Sequence, residues 1–399
     1  MIDDSIAFVK QKFSEYYHEN IQKILMPTSF EKREFGFESF KEGMMIRHKG
    51  FKNRKVFDKF LKILVPSNIY YSAAYYNNPE ESMAHKDWIC ADLVFDIDSD
   101  HIHAPCLPNH YYWICLNCQN IVRKPGVNCK TCGYNKFKKE TWLCEICLEK
   151  AKDETLKLLD FLMKDFGFSS EDIKINFSGH RGYHVHVEEE NVIQLGQIGR
   201  KEIVDYIKGI GLNVEYHGLL EIREKRMKEI VGPDLNDVGW RAKIARGVYD
   251  FLLTTTKEQL EKVGVKKSIL KKILANRDFL LEVWSKKSAW GAIKGIDLKT
   301  WEMIVQNSIK EQTASIDTVV TTDIHRLIRM PLTLHGKTGF KAIPITIDNL
   351  DTFDPFSDSI AFNKGRVRIY TNEVPKFRVG NEIFGPFNNQ MVELPIAAA

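Results

Sequence analysis

The stretch at residues 91–100 constrains this chain more than any other. It reads A-D-L-V-F-D-I-D-S-D. Because side chains alternate between the two faces of a strand, its apolar residues share one face, and Asp96 and Asp98 share the other with Asp92. The apolar face consists of Ala91, Leu93, Phe95 and Ile97. This pattern predicts a half-buried strand whose polar face carries two carboxylates about 7 Å apart.

Two carboxylates on one strand face repel each other unless a cation lies between them. Hard oxygen ligands with this spacing suit Mg²⁺ or Mn²⁺, which proteins bind through one or two carboxylates plus substrate phosphates. Asp96 and Asp98 are therefore candidate ligands of a catalytic metal ion. The alternative is a solvated acidic strand edge, since short acidic and apolar alternations also arise by chance.

The composition is that of an ordinary globular protein. The chain has 399 residues, 44% hydrophobic and 28% charged, enough for at least one full core. It has no apolar run near 18 residues and no basic-then-apolar signal pattern at its N-terminus, so we expect no membrane segment and an intracellular protein. The net charge of +4 does not by itself indicate a nucleic-acid partner.

Seven of the eight cysteines lie in residues 101–150. Clustered C-x-x-C pairs in such a chain favour metal ligands over disulfides, and two pairs complete a tetrahedron around Zn²⁺. The first predicted zinc site consists of Cys115, Cys118, Cys129 and Cys132. A second closed site can be formed by Cys106, His110, Cys144 and Cys147, although free cysteines are also common as small core residues. Because four protein ligands leave no position for water, both sites would be structural.

A glycine-flanked turn separates two predicted strands at residues 173–177 and 183–187. The turn reads S-G-H-R-G over residues 178–182. Its backbone amides can approach a phosphate closely, while Arg181 supplies positive charge. His184 and His186 share one face of the second strand. The alternative is a hairpin with incidental histidines.

A basic cluster follows in residues 317–339, D-T-V-V-T-T-D-I-H-R-L-I-R-M-P-L-T-L-H-G-K-T-G. The pattern predicts a short helix that is capped by Thr321 or Thr322, carries Ile324, Leu327 and Ile328, and ends at Pro331. The candidate cations are Arg326, Arg329, His335 and Lys337. Together with the acidic residues at 96, 98 and 317, these cations supply what nucleotidyl transfer needs, namely carboxylates for two metal ions opposite positive charge for a triphosphate.

Between these motifs the chain alternates helical and strand patterns. We expect helices at 2–26, 57–64 and 151–166, and an aromatic strand at 69–76 beside the acidic strand. Residues 249–312 are interpreted as several short helices. The lysines of this segment form either a basic face or an ordinary solvated one.

Three motifs resemble, in this order, those of the catalytic small subunit of archaeal and eukaryotic DNA primase. They are V-F-D-I-D (94–98), F-S-G-H-R-G-Y-H (177–184) and L-I-R-M-P-L-T-L-H-G-K-T-G (327–339), and the resemblance spans roughly residues 30–345. It implies an α+β fold, with a primase-polymerase core containing an RRM-like mixed sheet, a zinc-binding insertion and an inserted small helical module. The implied boundaries are 1–100, 151–248 and 313–345 for the core, 101–150 for the zinc-binding insertion, 249–312 for the helical insertion and 346–399 for a strand-rich C-terminal segment.

The resemblance also implies roles for individual residues. Asp96, Asp98 and Asp317 match the catalytic, metal-binding carboxylates. The matching nucleotide-binding positions are Ser178, Arg181, His184, Arg329, His335 and Lys337. Glu34 and Arg47 match looser motifs. Because zinc ligands vary within the family, it stays open which cysteines share an ion.

The implied activity is template-dependent synthesis of short primers from nucleoside triphosphates on single-stranded DNA. The implied cofactors are catalytic Mg²⁺ or Mn²⁺ and structural Zn²⁺. The implied partner is a primase large subunit, in the cytoplasm or nucleoid, or in the nucleus if the source is eukaryotic. One alternative is an end-joining primase-polymerase, a group that typically lacks a zinc insertion. The other is a non-catalytic zinc-ribbon nucleic-acid-binding protein, which leaves the shared face of Asp96 and Asp98 unexplained.

Overall fold

The fold is given by a computed structural model, which describes residues 2–40, 44–102, 106, 110–118, 120–124, 126–224, 227–286 and 289–399. The chain forms two compact units. The first comprises Met1–Thr155, Ser170–Lys201 and Ile316–Ala399, and the second comprises Leu156–Ser169 and Glu202–Ser315. No helix in these described ranges combines the length and the apolar character needed to cross a membrane.

Helices and strands are numbered here in chain order. The helices are α1 (Ile2–Asn20), α2 (Arg54–Leu64), α3 (Glu145–Asp160), α4 (Glu190–Ile193), α5 (Gln197–Ile207), α6 (Gly239–Thr254), α7 (Lys257–Val263), α8 (Lys267–Ala275), α9 (Arg277–Lys286), α10 (Leu298–Gln312), α11 (Thr318–Thr322) and α12 (Pro355–Asp358). The strands are β1 (Phe35–Glu38), β2 (Met45–Lys49), β3 (Asn68–Ser72), β4 (Ala74–Tyr76), β5 (Trp88–Ala91), β6 (Leu93–Asp98), β7 (Tyr111–Cys115), β8 (Ile121–Val122), β9 (Phe137–Thr141), β10 (Ile173–Phe177), β11 (Gly182–Val187), β12 (Leu220–Glu224), β13 (Met227–Val231), β14 (Leu327–Arg329), β15 (Ile343–Ile345), β16 (Arg366–Val374), β17 (Phe377–Val379), β18 (Glu382–Phe384) and β19 (Phe387–Pro395).

The acidic strand β6 lies in a four-stranded sheet of order β15-β10-β11-β6. Leu93, Phe95 and Ile97 are fully buried, whereas Asp96 and Asp98 on the opposite face are half-buried. The predicted half-buried strand is therefore confirmed. All pairs in this sheet are antiparallel, so the expected mixture of parallel and antiparallel pairing does not occur in it.

A second four-stranded sheet has the order β14-β3-β1-β2 and is also antiparallel. One face packs on α1 and α2 through a cluster of aromatic side chains. Its fully buried members include Phe13, Phe35, Phe37 and Phe57. This core holds β3 and β14 in fixed positions, and their polar residues line the site described below.

Two local predictions were wrong. The aromatic segment 69–76 does not pair with β6, because it divides into β3, which belongs to the second sheet, and β4, which pairs with β5. It lies beside the acidic stretch only at its start, where Ala74 pairs with Ala91. The helix predicted to start at Thr321 or Thr322 and to carry Ile324, Leu327 and Ile328 does not form: the helix found here, α11, is capped by Asp317 and already ends at Thr322. Leu327 and Ile328 instead belong to β14, where pairing with β3 and burial of Ile328 outweigh the local helical pattern.

The described part of the second unit is mainly helical and also contains the antiparallel pair of β12 and β13. Its core contains Trp284, Trp290 and Trp301, whose rings meet edge to face with centroids 4.8–5.8 Å apart. Helices do occupy most of residues 249–312, but the compact unit is wider than that segment and comprises 156–169 and 202–315.

Candidate active site and metal-ligand clusters

A cleft of about 260 Å³ lies where β6, the turn between β10 and β11, and β14 with the turn after it come together. Eight of the predicted site residues line it: Asp96, Asp98, Ser178, Arg181, His184, Arg329, His335 and Lys337. Arg326, another predicted cation, lines it as well. Three segments that are distant in the sequence therefore place acidic and basic side chains on one cleft.

The acidic pair faces β11 directly. His184 pairs with Asp96 in the strand register, and its Nε2 lies 3.6 Å from Oδ1 of Asp96. Arg181 Nε lies 3.6 Å from Oδ1 of Asp98. Burial, together with the negative charges of Asp98 and Asp317, raises the pKa of Asp96 to about 7. This carboxyl group lies in an excess of negative charge, which a divalent cation would relieve.

Asp317 is adjacent to this pair, but its side chain does not line the cleft. Its backbone N–H donates to the carbonyl oxygen of Asp96 at 2.9 Å. Its Oδ1 caps α11 by accepting from the N–H groups of Val319 and Val320, at 2.9 and 3.4 Å. The structure thus places the third carboxylate beside β6. However, the carboxylate oxygens of Asp96, Asp98 and Asp317 do not all lie within 4.8 Å of one another in this structure.

The turn at 178–182 is closed by a serine side chain. Ser178 Oγ accepts from the N–H groups of His180 and Gly182, both at 3.3 Å. Gly179 has φ +79°, and a Cβ on Gly182 would lie 1.7 Å from the carbonyl oxygen of Ile97. Glycine is therefore required at both positions, by conformation at Gly179 and by close strand pairing at Gly182.

Three histidines around the cleft are held neutral by burial. Desolvation, reinforced by nearby positive charges, lowers the pKa of His180 and that of His184 to about 3, and the pKa of His335 falls well below its ordinary value for the same reason. The rings of His180 and His335 stack with centroids 4.5 Å apart. These side chains can hydrogen-bond a ligand but do not compete as cations for the carboxylates.

Two polar residues on β3, which sequence reasoning missed, orient the basic side of the cleft. Arg329 Nη1 donates to Oδ1 of Asn68 at 2.6 Å, and its Nη2 donates to the hydroxyl of Tyr70 at 3.1 Å. The same Asn68 oxygen accepts from the N–H of Gly336 at 2.9 Å. Asn68 therefore joins Arg329 to the polar turn that carries Lys337.

Two clusters of possible metal ligands lie in the cysteine-rich segment, and both match the predicted sets. One consists of Cys115, Cys118, Cys129 and Cys132, and the other of Cys106, His110, Cys144 and Cys147. Within each cluster the ligand atoms all lie within 4.8 Å of one another, with Sγ–Sγ distances such as 3.6 Å for Cys118 and Cys129. Thiolates and imidazole converging in fours are suited to tetrahedral Zn²⁺, so each cluster could hold an ion.

Comparison with known proteins identifies the family. A family model described as DNA primase small subunit matches residues 132–347. The DNA primase small subunit PriS of Nitrosopumilus maritimus is 31% identical over 399 residues, covering 100% of this chain and 97% of the relative. The chain belongs to the DNA primase small subunit family. PriS of Methanococcoides burtonii is 34% identical over 378 residues, covering 91% of this chain and 87% of that relative.

As a DNA primase small subunit, the chain is a primase-type nucleotidyltransferase. The resemblance seen in the three motifs is confirmed. The family assignment replaces both alternatives, the end-joining enzyme and the non-catalytic zinc-ribbon protein. Within this DNA primase small subunit, the cleft that holds Asp96 and Asp98 is the candidate active site.

Proposed function

We propose that this primase small subunit makes short primers from nucleoside triphosphates on single-stranded DNA, with the reaction taking place in the described cleft. The observation that best supports the proposal is the meeting of two carboxylates, Asp96 and Asp98, with the positive charges of Arg181, Arg329 and Lys337 in one space of about 260 Å³. Nucleotidyl transfer needs both kinds of charge within a few ångströms of the reacting phosphate.

The acidic residues fit a divalent cation through their chemistry. Asp96 and Asp98 offer hard oxygen ligands, and the raised pKa of Asp96 reflects its burial together with the negative charges of Asp98 and Asp317. Asp317 is proposed as the third ligand, because its helix cap uses Oδ1 and leaves Oδ2 for a cation. When bound there, Mg²⁺ or Mn²⁺ supplies the positive charge that lowers the pKa of an attacking 3′-hydroxyl and offsets charge on the leaving pyrophosphate.

The basic side of the cleft is proposed to hold the triphosphate. Arg329 presents a guanidinium fork that Asn68 and Tyr70 orient without adding charge, which suits bidentate recognition of phosphate. Lys337 adds a point charge, and the turn closed by Ser178 adds backbone N–H groups. His184 is neutral, so it leaves Asp96 to a metal ion instead of neutralising it as an ion pair.

Both clusters in the cysteine-rich segment are proposed to bind Zn²⁺ in a structural role. Cys106 and His110 lie near the start of this segment, and Cys144 and Cys147 lie near its end. The second cluster therefore joins the two ends of the segment. The first cluster organises the residues between them. Metal binding would supply folding energy to a region that otherwise has small sheets such as β8-β7-β9.

The proposed partners are a primase large subunit, a single-stranded DNA template and nucleoside triphosphates, in an intracellular location. The test is template-dependent synthesis with labelled nucleotides of both sugar types, with and without Mg²⁺ or Mn²⁺. Metal- and template-dependent products are expected. Synthesis that continues without a divalent cation, or no synthesis under any of these conditions, would contradict the proposal.

A further inference from the structure

An ion pair joins the candidate active site to the cysteine-rich segment. Lys337 lines the cleft, and its Nζ donates to Oε2 and Oε1 of Glu140 at 2.9 and 3.2 Å. Glu140 lies on β9, between the last cysteine of one metal-ligand cluster, Cys132, and the third ligand of the other, Cys144. A side chain assigned to the triphosphate is therefore held, in this structure, by a strand of the segment that would bind zinc.

The carboxylate of Glu140 binds the ammonium group of Lys337 as the oxygens of a phosphate would. Only 13% of the Glu140 side chain is exposed, and Lys138 lies 3.1 Å from the same carboxylate. Burial alone would raise the pKa of Glu140, but hydrogen bonds from Lys337 and Lys138 outweigh burial and lower it, so this side chain is anionic at neutral pH. An ammonium group has three donors, and two of its contacts here go to Glu140. An incoming triphosphate must compete for them.

Orientation of a cation in this cleft does not require a carboxylate. Arg329 is held by the neutral side chains of Asn68 and Tyr70, and the carboxylate of Glu38 contacts these two side chains instead of the guanidinium itself. Lys337, in contrast, pairs with a carboxylate from the cysteine-rich segment. This ion pair links the positive charge in the cleft to the position of β9, which the contacts of Arg329 do not do.

We propose that Glu140 competes with the substrate triphosphate for Lys337, so that nucleotide binding releases β9 from the cleft and an empty cleft holds β9 in place. The inference rests on the nucleotide-binding role proposed above for Lys337. Glu140 is then a positioning residue that weakens nucleotide binding and couples occupancy of the cleft to the cysteine-rich segment.

The test is a double-mutant cycle on the intact chain with Glu140→Gln, Lys337→Ala and both together. Binding of α,β-methylene ATP with Mg²⁺ is measured by calorimetry, and KM and kcat are measured in primer synthesis. Glu140→Gln should tighten binding and lower KM by roughly two- to fivefold, the range expected for a partly exposed ion pair, with little change in kcat. This gain should vanish in the Lys337→Ala background.

The outcomes separate this inference from the proposed function. If Lys337→Ala leaves triphosphate affinity unchanged, the nucleotide-binding role of Lys337 is wrong. If Lys337→Ala weakens binding but Glu140→Gln does not strengthen it, or strengthens it equally in both backgrounds, competition by Glu140 is wrong while the function stands. The matched control is Glu373→Gln, which removes an ion pair between Glu373 and Arg123 of the same segment, at 3.0 Å, and should leave affinity unchanged.

A second measurement needs no substitution. In the wild-type chain, hydrogen exchange of the β9 amides, Phe137–Thr141, should become faster when the triphosphate analogue binds. The acceleration should be absent in Lys337→Ala at an analogue concentration that saturates the site. Unchanged or slower exchange of β9 in the wild-type chain would overturn the proposal.

Discussion

His184 Nε2 lies 3.6 Å from Oδ1 of Asp96, across the pair of strands β11 and β6. The two groups do not form an ion pair at neutral pH. Burial lowers the pKa of His184 to about 3, and burial with the charges of Asp98 and Asp317 raises the pKa of Asp96 to about 7. His184 therefore adds no positive charge beside Asp96, which leaves this carboxylate available to a divalent cation.

The first prediction concerns Asp96 and stability. The pKa of Asp96 is raised in the folded chain, so the unfolded chain ionises first as pH rises, and folding loses stability between about pH 4 and pH 7. Without added divalent cation, Asp96→Asn should therefore be more stable than wild type at pH 8, by up to ~4 kcal/mol, with the difference vanishing near pH 4. Urea unfolding across this pH range measures it. Asp58→Asn, which loses an ion pair with Arg54, should show no such gain, and equal or lower stability of Asp96→Asn at pH 8 would count against the account.

The second prediction concerns Asn68, which touches no predicted reacting group. Asn68→Ala removes the acceptor that fixes both Arg329 and the N–H of Gly336. The KM for nucleotide should rise about fivefold with a smaller change in kcat, because the guanidinium fork loses its orientation for phosphate. Steady-state primer synthesis tests this. The matched control is Ser67→Ala, which loses hydrogen bonds to the carbonyl groups of Glu38 and Ser39. An equal rise in KM for both variants would show that Asn68 has no specific role in nucleotide binding.

The third prediction concerns Gly182. Its Cβ would lie 1.7 Å from the carbonyl oxygen of Ile97, so Gly182→Ala must separate β11 from β6. We expect a loss of ~3 kcal/mol or more in the free energy of unfolding. Gly196→Ala is the control, because an added Cβ there has nothing within 4 Å, and its effect should stay within about 0.5 kcal/mol. Similar stability of the two alanine variants would show that the close strand pairing is not as described.

The fourth prediction concerns the two metal-ligand clusters. If both bind zinc, elemental analysis of the purified chain should find about two zinc ions per chain, and Cys115→Ser and Cys144→Ser should each lose one. Each variant should also become more sensitive to proteolysis in the cysteine-rich segment, since metal binding contributes folding energy there. A stable and fully active Cys115→Ser variant with unchanged zinc content would contradict the assignment of the first cluster.

Much of the site could be predicted because its signals are local. Period-two alternation in the acidic strand places Asp96 and Asp98 together on one face, and the C-x-x-C spacing brings thiols into pairs whatever the surrounding fold is. The glycines at 179 and 182 mark a turn by their backbone freedom and small size.

The missed residues have non-local partners. Asn68 meets Arg329 across 261 residues of sequence, and Glu140 meets Lys337 across 197. No periodicity or spacing reveals such pairs. The error at Leu327 and Ile328 has the same origin, because a three-residue strand takes its conformation from its partner β3 and not from its own pattern.

The most direct test of the account is primer synthesis by the double variant Asp96→Asn/Asp98→Asn, purified with unchanged zinc content and an intact thermal unfolding transition. We expect synthesis to fall by at least about 10³-fold with either Mg²⁺ or Mn²⁺, while Asp58→Asn keeps wild-type activity. Retention of substantial synthesis by the double variant would contradict the claim that these two carboxylates hold the catalytic metal.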